Sequence, residues 1–272
     1  MKQPIRAGFV QMDIRKGQIS ENLRTALRGL ERLAKQEVRL AVLPEMWTSG
    51  FVADEITRLA DESAEAWLQL RKFARHHGMV IVGSAYERQA EQIYNTATVV
   101  DTDGQVAGMY RKMHLFSPGG ENLHFTPGSV PLIAETEVGR LGVTICYDLR
   151  FPELYRGLAR MGAEMMVVPA QWPAARMLHW DTLLRARAIE NQVFVVACNR
   201  VGQETKHEGH LHFTGHSVVL DPWGRVVARA SGRPATAWGL LQPEMIESVR
   251  QAVPVWRDRH PVLDHVFREP ES

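Results

Sequence analysis

Residues 142–152 read Gly-Val-Thr-Ile-Cys-Tyr-Asp-Leu-Arg-Phe-Pro and join an apolar run to a polar turn that ends in proline. The run over 142–145 is typical of a buried strand, and the residues after it predict a turn into a helix. Cys146 is therefore expected where the strand leaves the sheet at its carboxyl edge, which is where open α/β sheets bind ligands. A thiol at that edge can be a nucleophile, whereas most buried cysteines are small, inert and hydrophobic.

Apolar runs and amphipathic segments alternate on both sides of this stretch. Strands are predicted over 5–12, 40–43, 79–84, 94–100, 105–110, 130–136, 140–145, 165–168, 193–198, 214–220 and 225–230, and helices over 20–38, 54–77, 152–161 and 178–192. Ser20 is expected to cap the first helix and Gly78 to end the second. Asp-Gly and Asp-Pro-Trp-Gly turns at 101–104 and 221–224 predict two hairpins.

This alternation of strands and helices, interrupted by hairpins, predicts an α/β protein with mixed sheets. Two sheets that pack face to face with helices outside would satisfy the pattern. The chain contains neither a linker nor a short-period repeat, so we expect a single domain over residues 1–272. The tail from Val255 onward is expected to be irregular and to pack on the body or on a partner subunit.

Composition excludes several classes of function. The chain has 272 residues, of which 45% are hydrophobic and 23% charged, as in ordinary globular proteins. A formal net charge of +1 without a basic arm argues against nucleic acid or a membrane surface as a partner. The start of the chain predicts a strand, not a signal peptide, and no apolar stretch approaches the roughly 20 residues of a membrane span. Two cysteines make no disulfide framework, so we expect a cytoplasmic protein.

Two more predicted strand ends carry residues that could take part in catalysis. Glu45 directly follows Pro44, which ends its strand, and in an apolar pocket its raised pKa would let it accept and return a proton. Lys112 lies where the first hairpin enters a long loop, and its ammonium could stabilise an oxyanion. Each has a plain alternative as a solvated residue.

Cys146 could instead be a packing residue, although a following helix and a nearby lysine would favour its thiolate. Cys198 lies in an apolar run and is expected to be core packing.

The three signals together form a recognisable pattern: Leu-Pro-Glu at 43–45, Tyr-Arg-Lys-Met-His-Leu-Phe at 110–116 and Ile-Cys-Tyr-Asp-Leu-Arg-Phe-Pro-Glu at 145–153. This pattern resembles the nitrilase superfamily of carbon–nitrogen hydrolases, from the first strand to about Ala230. The resemblance implies an α-β-β-α sandwich, neither a metal nor an organic cofactor, and assembly into homodimers or larger homo-oligomers. It also implies that Glu45 is the base, Lys112 the oxyanion-stabilising cation and Cys146 the nucleophile. Glu121 matches a second glutamate that supports such sites, with a solvated loop residue as the alternative.

Four further segments, at 43–51, 171–180, 184–192 and 198–202, resemble the ω-amidase branch of this superfamily. The branch hydrolyses the terminal amide of short dicarboxylic acid monoamides such as 2-oxoglutaramate and 2-oxosuccinamate. The run at 147–153 also resembles the deaminated glutathione amidases, but Trp-Pro-Ala at 172–174 favours the first branch. We therefore expect an ω-amidase that releases ammonia through a thioester on the cysteine.

Such a substrate needs a cation for its distal carboxylate. Arg176 is the candidate, because arginine binds carboxylates through two parallel hydrogen bonds. Trp172 and Phe116 are expected to wall the pocket, and the backbone N–H of Tyr147 to share the oxyanion with the lysine. Arg150 is expected to serve the fold through an ion pair.

Other activities remain open at this stage. Nitrile hydrolysis, carbamoyl cleavage or acyl transfer would use the same three residues. A silent scaffold or binding module is disfavoured because a scaffold has no reason to keep costly polar groups around one pocket. A thiol-redox role would need a resolving cysteine near the first. The histidines of a predicted loop match no closed zinc pattern, so a rim or interface role is favoured for them over a metal site: His207, His210, His212 and His216.

Overall fold

The computed structural model describes residues 1–206, 209–260 and 262. Its strands are β1 (Ile5–Gln11), β2 (Leu40–Val42), β3 (Val80–Gln89), β4 (Gln92–Val100), β5 (Val106–Arg111), β6 (Leu132–Thr136), β7 (Gly139–Val143), β8 (Met165–Ala170), β9 (Phe194–Asn199), β10 (Val201–Lys206), β11 (Gly209–Thr214), β12 (Val218–Leu220), β13 (Val226–Arg229) and β14 (Ala235–Leu241). Its helices are α1 (Ile19–Ala34), α2 (Ile56–His77), α3 (Pro152–Arg160), α4 (Met177–Asn191), α5 (Glu244–Ala252) and α6 (Val255–Asp258).

The strands form two mixed sheets of similar design. The first has the order β14-β1-β2-β3-β4-β5, and the second the order β13-β12-β9-β8-β7-β6. In the first, β1, β2 and β3 are parallel, and in the second, β7, β8 and β9 are parallel. The flanking strands are antiparallel. Each sheet therefore has a parallel centre whose carboxyl ends can carry functional groups.

Side-chain alternation along the central strands explains why two layers form. Val42 and Val82 of the first sheet pack in one cluster with Val143 and Val167 of the second. Their neighbours on the first sheet, such as Ala41, face the opposite way and pack with the apolar side chains of α1 and α2. Helices α3 and α4 cover the outer face of the second sheet. The predicted α-β-β-α sandwich is confirmed.

Some predicted boundaries differ from the structure. Helix α1 begins at Ile19, and no side chain caps it, so the prediction that Ser20 is the cap is wrong; Ser20 lies inside the first turn. The helix ends at Ala34 instead of continuing to Val38, because the chain leaves helical geometry with Glu37 at φ 54°. Helix α2 ends at Gly78, whose φ of 60° suits glycine, as predicted.

Five of these helices and strands were not predicted. Strands β10 and β11 form a hairpin where the sequence suggested a loop. Strand β14 pairs with β1 at the edge of the first sheet, and α5 follows it. The tail begins with the short helix α6, where Trp256 lies 4.9 Å from the guanidinium of Arg156. Residues 261 and 263–272 of the predicted tail lie outside the described residues. Within the described ranges, no helix combines the length and apolar character needed to cross a bilayer.

Candidate active site

Four strand ends bring the candidate residues together. Glu45 lies three residues after β2, Lys112 directly after β5 and Cys146 three residues after β7. Gln171 directly follows β8. The turn at Glu45 is anchored by the next strand of its sheet, because the hydroxyl of Ser84 accepts a hydrogen bond from the N–H of Met46 at 3.0 Å. The sheet order thus places these ends in one region between the two sheets.

Lys112 is the centre of a buried charged cluster. Its Nζ donates to Glu45 Oε1 at 2.8 Å and to both carboxylate oxygens of Glu121 at 2.8 Å. Lys112 and Glu45 are each 1% exposed, and Glu121 is 8% exposed. A buried charge needs partners of this kind, since an unpaired one would cost several kcal/mol (about 3–5). Two carboxylates share one ammonium, so the three groups carry a net negative charge.

Cys146 lies beside this cluster in a constrained turn. It has φ 46°, a left-handed conformation that costs a non-glycine residue about 1–3 kcal/mol. The backbone N–H of Gln171 donates to Glu45 Oε2 at 3.0 Å, and it also lowers the pKa of the Cys146 thiol. Glu45, Cys146 and Gln171 line the same cavity. Tyr147 follows in the first turn of a 3-10 helix, where backbone N–H groups have no partner within the helix.

The electrostatics favour a neutral thiol at rest. Burial raises the pKa of Cys146 well above its usual value, and the charge of Glu45 raises it further, while Lys112 lowers it. Lys112 lowers the pKa of the thiol, in the predicted direction, but burial and the two carboxylates outweigh it, so the expected thiolate is not favoured. Burial lowers the pKa of Lys112, but Glu45 and Glu121 more than compensate, so its pKa is raised. Burial also raises the pKa of Glu121, against the opposing effect of Lys112.

Asp148 fixes the turn that carries the cysteine. Its fully buried carboxylate accepts hydrogen bonds from the Tyr110 hydroxyl at 2.8 Å and from the N–H of Ile145 at 2.9 Å. It also accepts the N–H of His114 at 3.1 Å and contacts the ring of that histidine at 2.8 Å. Asp148 thereby connects the residue before Cys146 with the segment that follows Lys112.

A cavity of about 450 Å³ opens onto Glu45, Glu121 and Cys146. Lys112 lies behind the two carboxylates and does not line it. All four residues predicted to bind substrate line this cavity: Phe116, Tyr147, Trp172 and Arg176. The Phe116 ring lies 5.0 Å from that of Tyr147 and 5.6 Å from the Arg176 guanidinium, and Trp172 Nε1 donates to the Arg176 carbonyl at 2.8 Å. The predicted residues are therefore brought together on one wall.

Arg150 is placed differently from the prediction. It makes no ion pair with any residue the structure describes, and it lines the cavity instead. Its guanidinium lies 4.8 Å from the centre of the Trp172 ring and contacts His179 Nδ1 at 3.2 Å. The expected structural ion pair is therefore wrong for the described residues, where aromatic and imidazole partners take its place.

Two residues that form hydrogen bonds with Glu45 were missed in the sequence. Asn95 donates to Glu45 Oε1 at 2.8 Å. Gln171 Nε2 donates to the carbonyl of Glu45 at 2.9 Å, and its Oε1 accepts from the buried Arg200 at 3.0 Å. The available signal for Asn95 was an amide side chain in β4, a strand that is otherwise rich in β-branched and aromatic residues.

The histidine segment is largely a hairpin. His210 and His212 lie on β11, with ring centres 6.4 Å apart, and His207 lies outside the described residues. Over the described part of the chain, no three histidine, cysteine or acidic residues are grouped so as to hold a metal ion.

Comparison with known proteins identifies the family. A model described as carbon-nitrogen hydrolase matches residues 6–251. The chain belongs to the carbon-nitrogen hydrolase family. This carbon-nitrogen hydrolase is 39% identical over 253 residues to the 2-oxoglutaramate amidase of Bacillus subtilis, with 92% of this chain and 95% of that one covered. It is 34% identical over 275 residues to a deaminated glutathione amidase of Synechocystis, with 94% and 98% covered.

A solved structure gives the same assignment. The carbon-nitrogen hydrolase superimposes on Saccharomyces cerevisiae Nit3, described as a member of branch 10 of the nitrilase superfamily, with a TM-score of 0.85 and 33% identity. The match covers 95% of this chain and 97% of that one. The resemblance to the nitrilase superfamily is confirmed.

Proposed function

We propose that this protein is an ω-amidase that hydrolyses the terminal amide of short dicarboxylic acid monoamides, such as 2-oxoglutaramate and 2-oxosuccinamate, to the acid and ammonia. The observation that carries the chemistry is that Glu45, Glu121 and Cys146 line one cavity while Lys112, behind it, binds both carboxylates. Membership of an amide-cleaving family and similarity to a 2-oxoglutaramate amidase support the same reaction.

The first half of the reaction begins with a neutral thiol, so it needs a base. Glu45 takes the proton of Cys146 as the sulfur attacks the amide carbonyl carbon. Protonation of Glu45 weakens its hold on Lys112, and the hydrogen that pointed at Oε1 is released towards the developing oxyanion. The N–H of Tyr147 is the second donor. Glu45 then passes its proton to the nitrogen, the C–N bond breaks, and ammonia leaves a thioester.

The second half returns the enzyme to its starting state. Glu45, ionised again, takes a proton from water as the water oxygen attacks the thioester carbonyl. The tetrahedral intermediate collapses, the C–S bond breaks, and the sulfur recovers the proton from Glu45. Throughout the cycle Glu121 keeps Lys112 charged and in place, because it holds two of the three ammonium hydrogens. The carboxylic acid product then leaves.

The charges of the cavity support an anionic substrate. Its carboxylates are all paired: Glu45 and Glu121 with Lys112, and Glu204 with Arg200. Its basic residues Lys16, Arg150 and Arg176 have no carboxylate partner among the described residues. A ligand with a free carboxylate would neutralise this excess of positive charge. Either arginine could bind that carboxylate through two hydrogen bonds.

The test compares amides that differ in the distal group. We expect the purified protein to release ammonia from 2-oxoglutaramate with a kcat/KM at least about tenfold above that for a neutral amide of the same length, since one charge-assisted hydrogen bond is worth about 1.5–3 kcal/mol. Arg176→Ala and Arg150→Ala should each raise KM for the acidic amide only. Equal turnover of the neutral amide would contradict the substrate assignment and leave the amidase chemistry standing.

Deaminated glutathione amidase is the second candidate, favoured by the similarity to the Synechocystis enzyme. A cavity of about 450 Å³ is also large enough for a substrate of that size. Direct competition between 2-oxoglutaramate and deaminated glutathione distinguishes the two functions. A higher kcat/KM for deaminated glutathione would replace the ω-amidase assignment.

We also propose that the enzyme works in the cytoplasm as a homodimer or larger homo-oligomer. Exposed apolar side chains on α4 and the second hairpin support association, for example Leu178 at 76% exposure and Ile189 at 52%. Light scattering of the full chain, at concentrations above and below the assay range, tests the assembly.

A further inference from the structure

Asn95 is a fully buried amide that contacts the proposed base directly. It lies on β4, where its side-chain Nδ2 donates to Glu45 Oε1 at 2.8 Å. Its backbone carbonyl accepts the N–H of Lys112 at 2.9 Å. One residue therefore fixes both the carboxylate of the base and the start of the segment that carries the ammonium.

The orientation of the Asn95 amide follows from its neighbour. An ionised carboxylate only accepts hydrogen bonds, so the NH₂ group has to face Glu45. This leaves Asn95 Oδ1 buried, with no hydrogen-bond donor among the described residues. A buried polar atom without a partner costs about 1–3 kcal/mol. The hydrogen bond to Glu45 therefore comes with an unpartnered Oδ1, a cost that an apolar residue at this position would avoid.

Glu45 receives its donors from three directions. Oε1 accepts Lys112 and Asn95, and Oε2 accepts the N–H of Gln171. Lys112 also donates to Glu121. In the proposed mechanism, the ammonium hydrogen that points at Glu45 moves to the oxyanion during attack. The Asn95 amide is the neutral side-chain donor to Glu45, and the proposed reaction does not require it to donate to any other group.

We propose that Asn95 is a positioning residue for the reaction, one that holds the Glu45 carboxylate against the Cys146 thiol while Lys112 turns to the oxyanion. The inference rests on the proposed function. The donor stabilises the ionised form of the base, because a hydrogen bond to a carboxylate favours the charged state. The ionisable groups that face Glu45 are Lys112, Glu121 and Cys146, and all remain in the variants below.

The experiment compares three variants by steady-state kinetics with 2-oxoglutaramate across pH. Asn95→Leu keeps the branched skeleton and removes the donor. Asn95→Asp keeps the shape and adds a carboxyl group next to Glu45. Asn191→Leu is the matched control, because Asn191 is also fully buried with an unpartnered Oδ1, but lies on α4 away from the site.

We expect Asn95→Leu to lower kcat about 10-fold to 100-fold, with KM changed less than about threefold. The acid limb of its kcat/KM profile should move to higher pH, because loss of a hydrogen-bond donor disfavours an ionised carboxylate. Asn95→Asp should move the limb in the same direction and further. The control should keep the wild-type kcat and profile.

Outcomes separate the two proposals. A wild-type protein that releases no ammonia from any amide overturns the proposed function. An active wild type with an Asn95→Leu variant of unchanged kcat and pH profile overturns only the positioning role. If Asn95→Leu does not fold, the isosteric Asn95→Asp variant gives the answer, and an unshifted acid limb in it contradicts the inference.

Discussion

The two cysteines of this protein are both buried, yet they occupy different chemical settings. Cys198 lies inside β9 with no exposed surface, and its Sγ–H donates to the Val10 carbonyl at 3.3 Å. Cys146 lies beyond the end of β7, in a left-handed turn at the edge of a cavity. Burial raises the pKa of both thiols.

The difference lies in what surrounds each sulfur. Cys198 has hydrogen-bonding neighbours but no base, whereas Cys146 has Glu45 beside it and Lys112 behind. A raised thiol pKa is an obstacle to chemistry for the first and a reason for general-base catalysis in the second. Reactivity therefore depends on the neighbouring carboxylate and on access, and not on the acidity of the thiol at rest.

The largest expected effect comes from removal of the sulfur of Cys146, the proposed nucleophile. Cys146→Ala should lower kcat at least about a thousandfold, as loss of a covalent nucleophile does, with an unchanged unfolding curve. Ammonia release from 2-oxoglutaramate measures it. Cys198→Ala is the matched control and should keep wild-type kcat. Residual turnover above one-tenth in the Cys146 variant would rule out the thioester route.

Asp148 tests whether the turn that distinguishes Cys146 depends on one buried carboxylate. Asp148→Ala leaves the Tyr110 hydroxyl and two backbone N–H groups without their acceptor. The free energy of unfolding should fall by about 3 kcal/mol or more, because each buried unpaired donor costs about 1–3 kcal/mol. Urea titration measures the loss. Tyr110→Phe removes one of these hydrogen bonds and should cost about 1 kcal/mol; equal losses in the two variants would contradict this account.

Glu121 tests whether the charged groups around Cys146, which Cys198 lacks, control the reactivity of the thiol. In Glu121→Gln the loss of one negative charge lowers the pKa of Cys146, because that charge raises it in the native site. Iodoacetamide should therefore alkylate Cys146 faster at neutral pH. Turnover should fall about 10-fold to 100-fold, because the glutamine offers Lys112 one acceptor oxygen and no charge in place of two carboxylate oxygens. Alkylation and turnover that fall together would instead indicate a disordered site.

The strand-end logic of the sequence predicted most of the site. Proline after one strand and a polar turn after another located Glu45 and Cys146, because strand ends are marked by local sequence. Arg150 was assigned incorrectly, since its partners are set by packing against Trp172 and His179, which come from a distant segment. Asn95 was missed because its partner, Glu45, is 50 residues away in the chain.

The fold shows the same division between local and distant signals. The central parallel strands and the helices between them were predicted, because continuous apolar runs and helical spacing are local patterns. Strand β14 was missed, since it is a half-exposed edge strand whose alternation is weak and whose pairing with β1 joins the two ends of the chain. The hairpin β10–β11 was missed because polar residues and histidines dominate it.

The smallest expected effect concerns Cys198 and alkaline pH. Burial raises its pKa in the folded state, so the thiol keeps its proton at a pH where the unfolded chain, with a cysteine pKa of about 8.5, has lost it. The stabilisation of the folded state by the neutral Cys198 thiol is complete below the unfolded pKa of about 8.5, and it is lost as the pH rises above that value. Between pH 8.5 and 9.5 the wild type should therefore lose about 1 kcal/mol more unfolding free energy than Cys198→Ala. Cys146 and the buried tyrosines are present in both proteins, so their contributions cancel in this difference. Parallel losses in the two proteins, measured by urea titration at each pH, would mean that Cys198 ionises as readily in the folded chain as in the unfolded one.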